Sequence, residues 1–148
     1  MLQDLLSNRV LWTAVVSWFA AQALKVVSGF AASRKLDWRL FFASGGMPSS
    51  HTSTVVGLTT AVAFAEGLSS SAFAIAFAFS TVVMYDATGV RRETGKQARV
   101  LNYMMENWHH NKTPEVFQQN LKIFVGHTPF QVWAGALLGL CIGILMHL

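Results

Sequence analysis

The chain has 148 residues, of which 53% are hydrophobic and only 12% are charged, and its formal net charge is +4. A soluble domain carries roughly twice that charged fraction, so the composition excludes an ordinary soluble protein and predicts one membrane-embedded domain over residues 1–148. The basic residues do not alternate with aromatic ones, and the positive balance therefore does not indicate a nucleic-acid partner.

Four stretches without Asp, Glu, Lys or Arg are the candidate membrane spans: residues 10–24, 52–65, 67–85 and 128–148. A helix needs ~20 residues to cross a hydrocarbon core of ~30 Å, and the first stretch reaches that length by continuing past Lys25. The middle two are shorter but rich in Ser, Thr and Gly, which let helices pack closely inside a membrane bundle. We therefore expect an all-α fold, an integral membrane bundle of about four transmembrane helices.

The first predicted helix runs from about Asn8 to Ala31. The sequence GGMPSSH, residues 45–51, then predicts a glycine-rich loop that opens directly into the second helix, with Pro48 in its first turn. Residues 66–71 form the turn to the third helix, which is predicted to end near Tyr85 and Asp86.

Residues 87–112 are polar and predict a short helix over residues 96–107. The sequence Thr113-Pro114-Glu115 starts a further segment, through Val125, whose amphipathic pattern is typical of a helix lying along the cytoplasmic membrane surface.

The last helix has a clear start signal. Thr128, Pro129 and Gln131 predict a capping box with proline in the first helical position. His127 therefore precedes a helix N-terminus, as His51 follows one.

Basic residues collect on one side of the predicted bundle. With four crossings, segments 32–51 and 87–127 share one side, whereas both termini and the 66–70 turn share the other, which carries only Arg9. The basic residues of the first side are Arg34, Lys35, Arg39, Arg91, Arg92, Lys96, Arg99, Lys112 and Lys122. The positive-inside bias places that side, and the candidate site with it, in the cytoplasm.

Two helix N-termini on one face form a ready site for a phosphate, because their backbone N–H groups and positive dipole ends point the same way. The glycines would let the backbone approach the anion, and Ser49 and Ser50 would hydrogen-bond it. Arg91, Arg92 and Lys96 follow the third span, where guanidinium groups would bind phosphate oxygens two at a time. At this depth the phosphate would belong to a lipid headgroup.

His51 and His127 provide a route to hydrolysis without a metal. One imidazole attacks phosphorus to form a phosphohistidine, and the other protonates the departing alkoxide. Both roles suit a side chain that titrates near neutrality. The pattern favours a phosphatase acting on phosphatidate, phosphatidylglycerophosphate or a prenyl phosphate.

Three motifs, MPSSHT at 47–52, YDATGVRRETGKQA at 85–98 and GHTP at 126–129, resemble the divergent branch of the type-2 phosphatidic acid phosphatase superfamily. This branch is also described as acid phosphatase/vanadium-dependent haloperoxidase-related, and the resemblance extends from about Gln22 to the C-terminus. It implies that His127 is the nucleophile and His51 the general acid. It also implies that Lys25, the candidate for the first-motif lysine, and Ser49 and Ser50 of the PSGH-like motif bind the phosphate. Arg91, Arg92 and Lys96 are assigned the same role from their charge and position.

The sequence departs from the superfamily pattern at several places. Ala32 stands where the first motif has an arginine-proline pair, and residues 120–121 are Asn-Leu where a serine-arginine pair is expected. Arg91 and Arg92 would then take over the phosphate-binding role of the missing arginine.

Gln131 stands where superfamily enzymes have a carboxylate that orients the third-motif histidine. Glutamine keeps a hydrogen bond but removes the charge, a loss that costs on the order of 10⁴ in rate in other carboxylate–histidine pairs. Either Asp86 supplies the charge instead, or the glutamine was introduced to trap a substrate-bound state.

Structural explanations stand beside these roles. Lys25 would reach the membrane surface by snorkelling, and Arg91 and Arg92 would serve as cytoplasmic anchors. Asp86 would pair with either arginine.

Two other functions stay open. In one, Asp86 and Glu93 bind Mg²⁺ and the histidines support a metal-bound water. In the other, which Gln131 favours, the protein binds a lipid phosphate without turnover. The favoured mechanism requires no cofactor, and a homo-oligomer is a further open alternative.

Overall fold

The computed structural model describes residues 1–42, 45–106 and 127–148, without the side chains of residues 90–92, 96, 105 and 106. This part of the chain is all-helical, as the sequence predicts. Its elements are α1 (Leu2–Leu6), α2 (Arg9–Ser33), a 3-10 helix (Trp38–Phe42), α3 (Ser50–Glu66), α4 (Ser71–Thr88), α5 (Val90–Glu106) and α6 (Pro129–Leu145). The predicted surface segment at 113–125 lies outside the described residues.

Side-chain caps set the starts of the four long apolar helices. The capping residues are Asn8, Ser49, Ser70 and Thr128, and each accepts a hydrogen bond from a backbone N–H of the first turn. The predicted capping box at the start of α6 is confirmed, with Thr128 and Gln131 bonded reciprocally.

The start of α3 corrects one prediction. Pro48 lies before the helix, not in its first turn, because Ser49 is the capping residue and its side chain accepts from the N–H of Thr52. A side-chain oxygen that satisfies the free N–H groups fixes the helix start, and the proline then belongs to the loop.

The boundary between α4 and α5 corrects two more predictions, the end of the third predicted helix and the start of the helix after it. Helix α4 extends to Thr88 rather than ending near Asp86, and α5 begins at Val90 rather than near Lys96. Helical hydrogen bonds run across the break. The N–H of Gly89 donates to the carbonyl oxygen of Tyr85 (2.8 Å), and the N–H of Glu93 donates to the carbonyl oxygen of Gly89 (3.0 Å). The helix predicted over residues 96–107 is therefore present, but it begins at Val90, directly after α4.

Helix α3 lies at the centre and packs against α2, α4 and α6. Small polar side chains join it to its antiparallel neighbours. The hydroxyl of Ser53 donates to the carbonyl oxygen of Ser17 in α2 (3.0 Å), and that of Ser80 in α4 donates to the carbonyl oxygen of Val55 (2.8 Å). Such bonds to backbone oxygens require close helix approach, which small residues allow.

A row of glycines brings α6 against α3. Gly135, Gly139 and Gly143 are buried at every fourth position of α6. A side-chain carbon on Gly135 would clash with Ser49 at the start of α3, and one on Gly143 would clash with Thr60 further along. Because the contacts advance in the same direction along both helices, α3 and α6 are parallel and begin at the same end of the bundle.

The opposite end of the bundle holds the start of α2 and the end of α6. There the guanidinium group of Arg9 donates to the carbonyl oxygen of Met146. This contact closes the bundle far from the two helix starts.

Within the described residues, two stretches are long and apolar enough to cross a membrane: α2, and residues Ser71–Met104, which include α4 and most of α5. Helices α3 and α6 have 17 residues each, which is below the length of a standard span. Length and composition therefore support two of the four expected spans.

Candidate functional site

Three helix ends meet at one end of the bundle: the starts of α3 and α6 and the end of α4. The N–H of Ser49, at the start of α3, donates to the carbonyl oxygen of Gln131 in the first turn of α6 (3.0 Å). The N–H of His127 donates to the carbonyl oxygen of Ala87 near the end of α4 (3.1 Å). Backbone hydrogen bonds thus tie the starts of α3 and α6 to each other and to α4.

This junction brings the two predicted histidines together. The ring centroids of His51 and His127 are 6.3 Å apart, with the ring planes inclined by 59°. His51 lies in the first turn of α3 and is exposed, whereas His127 is 2% exposed. The separation suits two groups that act on opposite sides of one phosphorus atom, an attacking nitrogen and a proton donor.

Gln131 determines which nitrogen of His127 carries the proton. The carboxamide oxygen of Gln131 accepts from the N–H of Thr128 (3.0 Å) and lies 3.2 Å from Nδ1 of His127. Because the backbone N–H can only donate, the atom facing both groups is the oxygen, and Nδ1 must donate to it. In the neutral imidazole, the lone pair is therefore on Nε2.

Lys25 does not reach the surface by snorkelling. It is 2% exposed, and its ammonium group donates to the hydroxyl of Ser50 at 3.0 Å. The loop before α3 covers the lysine stem, and Gly46, at φ +96°, lies against it. Ser28 donates to the carbonyl oxygen of Met47 (2.8 Å) and holds this loop on α2.

Burial of Lys25 adds a positive charge to a region that is already positive. The ammonium lies beside the first turn of α3, where the helix dipole has its positive end. The ammonium group and the positive end of the helix dipole would both attract an anion. The electrostatics of the junction therefore suit a phosphate group.

Ser49 has a structural role that the sequence prediction did not include. It is 0% exposed, its hydroxyl accepts from the hydroxyl of Thr52 (3.1 Å), and its N–H is bonded to Gln131. Ser50, in contrast, contacts Lys25 directly. Of the two serines, Ser50 is therefore the one joined to the buried cation.

The acidic candidates differ in position. Asp86 is half-buried and precedes Ala87, the residue that binds the N–H of His127, whereas Glu93 is exposed in α5. In residues 1–42, 45–106 and 127–148, no three His, Cys, Asp or Glu side chains cluster in a way that would hold a metal ion.

The basic candidates Arg91, Arg92 and Lys96 lie in the first two turns of α5, directly after the end of α4. Their side chains are outside the described part of the structure. Their role in phosphate binding stays a prediction from charge and position.

The glycine row of α6 was missed in the sequence interpretation, although it sets the site. Gly135 is packed against Ser49, so any larger residue there would move the start of α6 away from α3. The signal was the spacing of Gly135, Gly139 and Gly143, a repeat of the small-xxx-small pattern known from close helix pairs.

A sequence model described as the divergent PAP2 family matches residues 6–142. The chain belongs to the divergent PAP2 family. The resemblance carried by the MPSSHT, YDATGVRRETGKQA and GHTP motifs is thereby confirmed.

The chain is also similar to YuiD of Bacillus subtilis (strain 168), which is described as an uncharacterized membrane protein. The two are 38% identical over 152 residues, which cover 97% of this chain and 96% of YuiD. No solved structure matches the chain. Family membership points to a phosphatase-related role, and the membrane character of YuiD agrees with the apolar helices.

Proposed function

We propose that this divergent PAP2 protein is an integral membrane phosphatase that hydrolyses a lipid phosphomonoester through a phosphohistidine intermediate. The observation that carries the proposal is the 6.3 Å separation between the His51 and His127 rings, at a junction of two helix N-termini. About four helices, α2, α3, α4 and α6, would cross the bilayer.

In the first step, Nε2 of His127 attacks phosphorus. The hydrogen bond between Nδ1 and Gln131 supports this assignment because it leaves the lone pair on Nε2. A P–N bond forms while the P–O bond to the lipid alkoxide breaks. His51, as an imidazolium, gives its proton to that alkoxide, which is a poor leaving group without an acid.

In the second step, water attacks the phosphohistidine. His51, now neutral, accepts a proton from the water as the new P–O bond forms and the P–N bond breaks. Inorganic phosphate leaves, His127 regains its lone pair, and His51 regains its proton. Each cycle thus returns both imidazoles to their starting states.

Lys25 and Ser50 would hold the phosphate from the side of α2. Their 3.0 Å hydrogen bond places an ammonium group and a hydroxyl together at the start of α3. The positive dipole ends of the two helix starts would add to the attraction for the anion. Arg91, Arg92 and Lys96 would approach from α5, close to the end of α4.

Gln131 would orient His127 but would not offset the positive charge that develops on its ring. Asp86 is the candidate for that charge, because its neighbour Ala87 is bonded to the backbone of His127. A carboxylate close to an imidazole stabilises the imidazolium form.

The substrate class follows from depth and orientation. By the positive-inside bias, the basic residues between the spans support a junction on the cytoplasmic side, which would lie at the level of lipid headgroups. A site there would encounter phosphatidate, phosphatidylglycerophosphate or a prenyl phosphate more readily than a soluble ester.

Phosphate release from these three lipids by detergent-purified protein tests the proposal. The wild type should release phosphate from at least one lipid, and H127A should release none. H147A is a matched control, because His147 lies beyond the other end of α6. Equal release by wild type and H127A would refute the assigned nucleophile.

Gln131 favours a second function, in which the protein binds a lipid phosphate without hydrolysing it. A neutral amide holds the ring in place but gives no charge support. Saturable binding of phosphatidate vesicles, with no phosphate release by wild type or Q131E, would select this function over the phosphatase.

A further inference from the structure

A groove with a volume of about 300 Å³ runs along the outside of the described bundle between α4 and α6, and α3 forms its floor. Its lining extends from Met84, towards the end of the bundle that holds the histidines, to Phe73 and Ala63, towards the other end. The residues that mark its extent are Thr60 and Ala63 in α3, Phe73, Phe77 and Met84 in α4, and Leu140 in α6.

The groove presents hydrocarbon surface although four of its residues carry hydroxyls. These are Thr59, Thr60, Ser80 and Thr81. Thr60 and Thr81 each donate to a carbonyl oxygen of their own helix (2.8 and 2.9 Å). The hydroxyls of Thr59 and Ser80 lie 2.7 Å apart, and each is 2.8 Å from the carbonyl oxygen of Val55. Because these hydroxyls are bonded within the bundle, the groove surface consists mainly of methyl groups and aromatic rings, and it suits a hydrocarbon chain better than a polar molecule.

The upper end of the groove lies just below the candidate site. Met84 is three residues before Ala87, whose carbonyl oxygen binds the N–H of His127. Three residues of helix are roughly 4.5 Å long at 1.5 Å per residue. The upper end of the groove thus lies within about one helical turn of the residue that contacts His127.

The length of the groove matches one leaflet of a bilayer. From Met84 to Phe73, α4 advances roughly 16 Å at 1.5 Å per residue. The hydrocarbon core of a bilayer is ~30 Å thick, so the chains of one leaflet occupy about half of that. A lipid with its phosphate at the junction would have its chain at the depth of the groove.

We propose that the groove holds one hydrocarbon chain of the lipid whose phosphate lies between His51 and His127. This inference rests on the proposed phosphatase function. It narrows the substrate to lipid phosphates whose hydrocarbon chain is long enough to follow the groove from Met84 to Phe73. Since the surrounding lipid is as apolar as the groove, the chain contributes by packing and by positioning the phosphate.

Filling the lower groove tests the proposal through turnover. Ala63 is half-buried in the groove, whereas Ala78 is exposed on α4 outside it. In A63F, kcat/KM for dioleoyl phosphatidate should fall about tenfold, and kcat/KM for dihexanoyl phosphatidate should stay within about twofold of wild type, as expected when only positioning is lost. A78F should change neither value. Unchanged kcat/KM for both lipids in A63F, or an equal fall for both, would overturn the proposal.

Photolabelling tests the proposed chain position in the groove without a measurement of turnover. Phosphatidate with a diazirine at the end of one chain is compared with phosphatidylcholine that carries the same chain. The phosphatidate probe should label the peptides containing Ala63 and Phe73 at least about fivefold more strongly, since only its headgroup is held at the junction. Equal labelling by the two lipids would identify bulk lipid in the groove, and a cross-linked dimer in place of lipid adducts would identify a second copy of the chain; both results overturn the proposal.

The two measurements separate failure of the groove from failure of the phosphatase. Headgroup-dependent labelling without phosphate release from any lipid would refute turnover and support the groove. Phosphate release without headgroup-dependent labelling would refute the groove and leave the phosphatase intact.

Discussion

The carboxamide oxygen of Gln131 lies 3.2 Å from Nδ1 of His127 and also accepts the backbone N–H of Thr128. One side chain therefore caps α6 and orients the proposed nucleophile. A glutamate would keep both contacts, because a capping box accepts either residue.

Q131E should raise kcat, because the carboxylate would stabilise the charge that develops on His127. The increase would lie between about tenfold and 10⁴-fold, the upper value being the effect of carboxylate loss in other carboxylate–histidine pairs. Phosphate release under saturating lipid measures it. The control is Q131A, which removes the contact to Nδ1 of His127 and should have a lower kcat than wild type. A kcat in Q131E no higher than wild type would show that charge at this position is not limiting.

K25M should lower kcat/KM by about 10²-fold, the usual effect of removing one buried donor to a developing anion. Methionine keeps the packing of the stem, so the thermal midpoint in detergent should not fall. K35M is the matched control, since Lys35 is exposed after α2. Equal rates in K25M and wild type would remove Lys25 from the phosphate site.

H51A should slow the hydrolysis of lipid phosphates far more than the formation of phosphohistidine from an aryl phosphate. An aryl oxide leaves without a proton, whereas an alkoxide needs the acid, which contributes about 10²–10⁴-fold. Acid-labile labelling of His127 by a radioactive aryl phosphate measures the first step alone. If H51A lowered the rates for the lipid phosphate and the aryl phosphate by the same factor, His51 would not be the acid.

G139A should lower the thermal midpoint although alanine is the better helix former by up to ~1 kcal/mol. The added methyl group would clash with the carbonyl oxygen of Ser53 in α3, and overpacking of this kind costs about 1–3 kcal/mol. C141A is the control, because Cys141 is exposed on the same helix. A midpoint in G139A equal to or above that of wild type would contradict the close α3–α6 contact.

A chelator should leave phosphate release unchanged, because the proposed nucleophile and acid are both imidazoles. E93Q should also retain wild-type activity, since Glu93 is exposed in α5. Loss of activity in both experiments, with recovery on adding Mg²⁺, would favour the mechanism in which Asp86 and Glu93 bind the metal.

The local features of the fold were predictable because neighbouring residues determine them. The capping box of Thr128 and Gln131 depends on two positions three residues apart, and the structure has it as predicted. Pro48 was misplaced by a similarly local rule, since both Pro48 and Ser49 are common near helix starts and only the hydrogen bond to Thr52 decides between them.

Contacts between residues that are far apart in the sequence were harder to predict. Burial of Lys25 against Ser50 depends on the rotation of α2 about its axis, which no short pattern in the sequence fixes. The parallel arrangement of α3 and α6 depends on contacts such as that of Gly135 with Ser49. The spacing of the glycines in α6 predicts close contact with another helix, but it does not identify that helix as α3.

That parallel arrangement has an electrical consequence. Each helix N-terminus is equivalent to roughly +0.5 elementary charge, so the adjacent starts of α3 and α6 together provide roughly one full positive charge. This charge comes from peptide groups that do not titrate. The attraction for a phosphate dianion would therefore persist at alkaline pH, where imidazolium and ammonium groups have lost their protons.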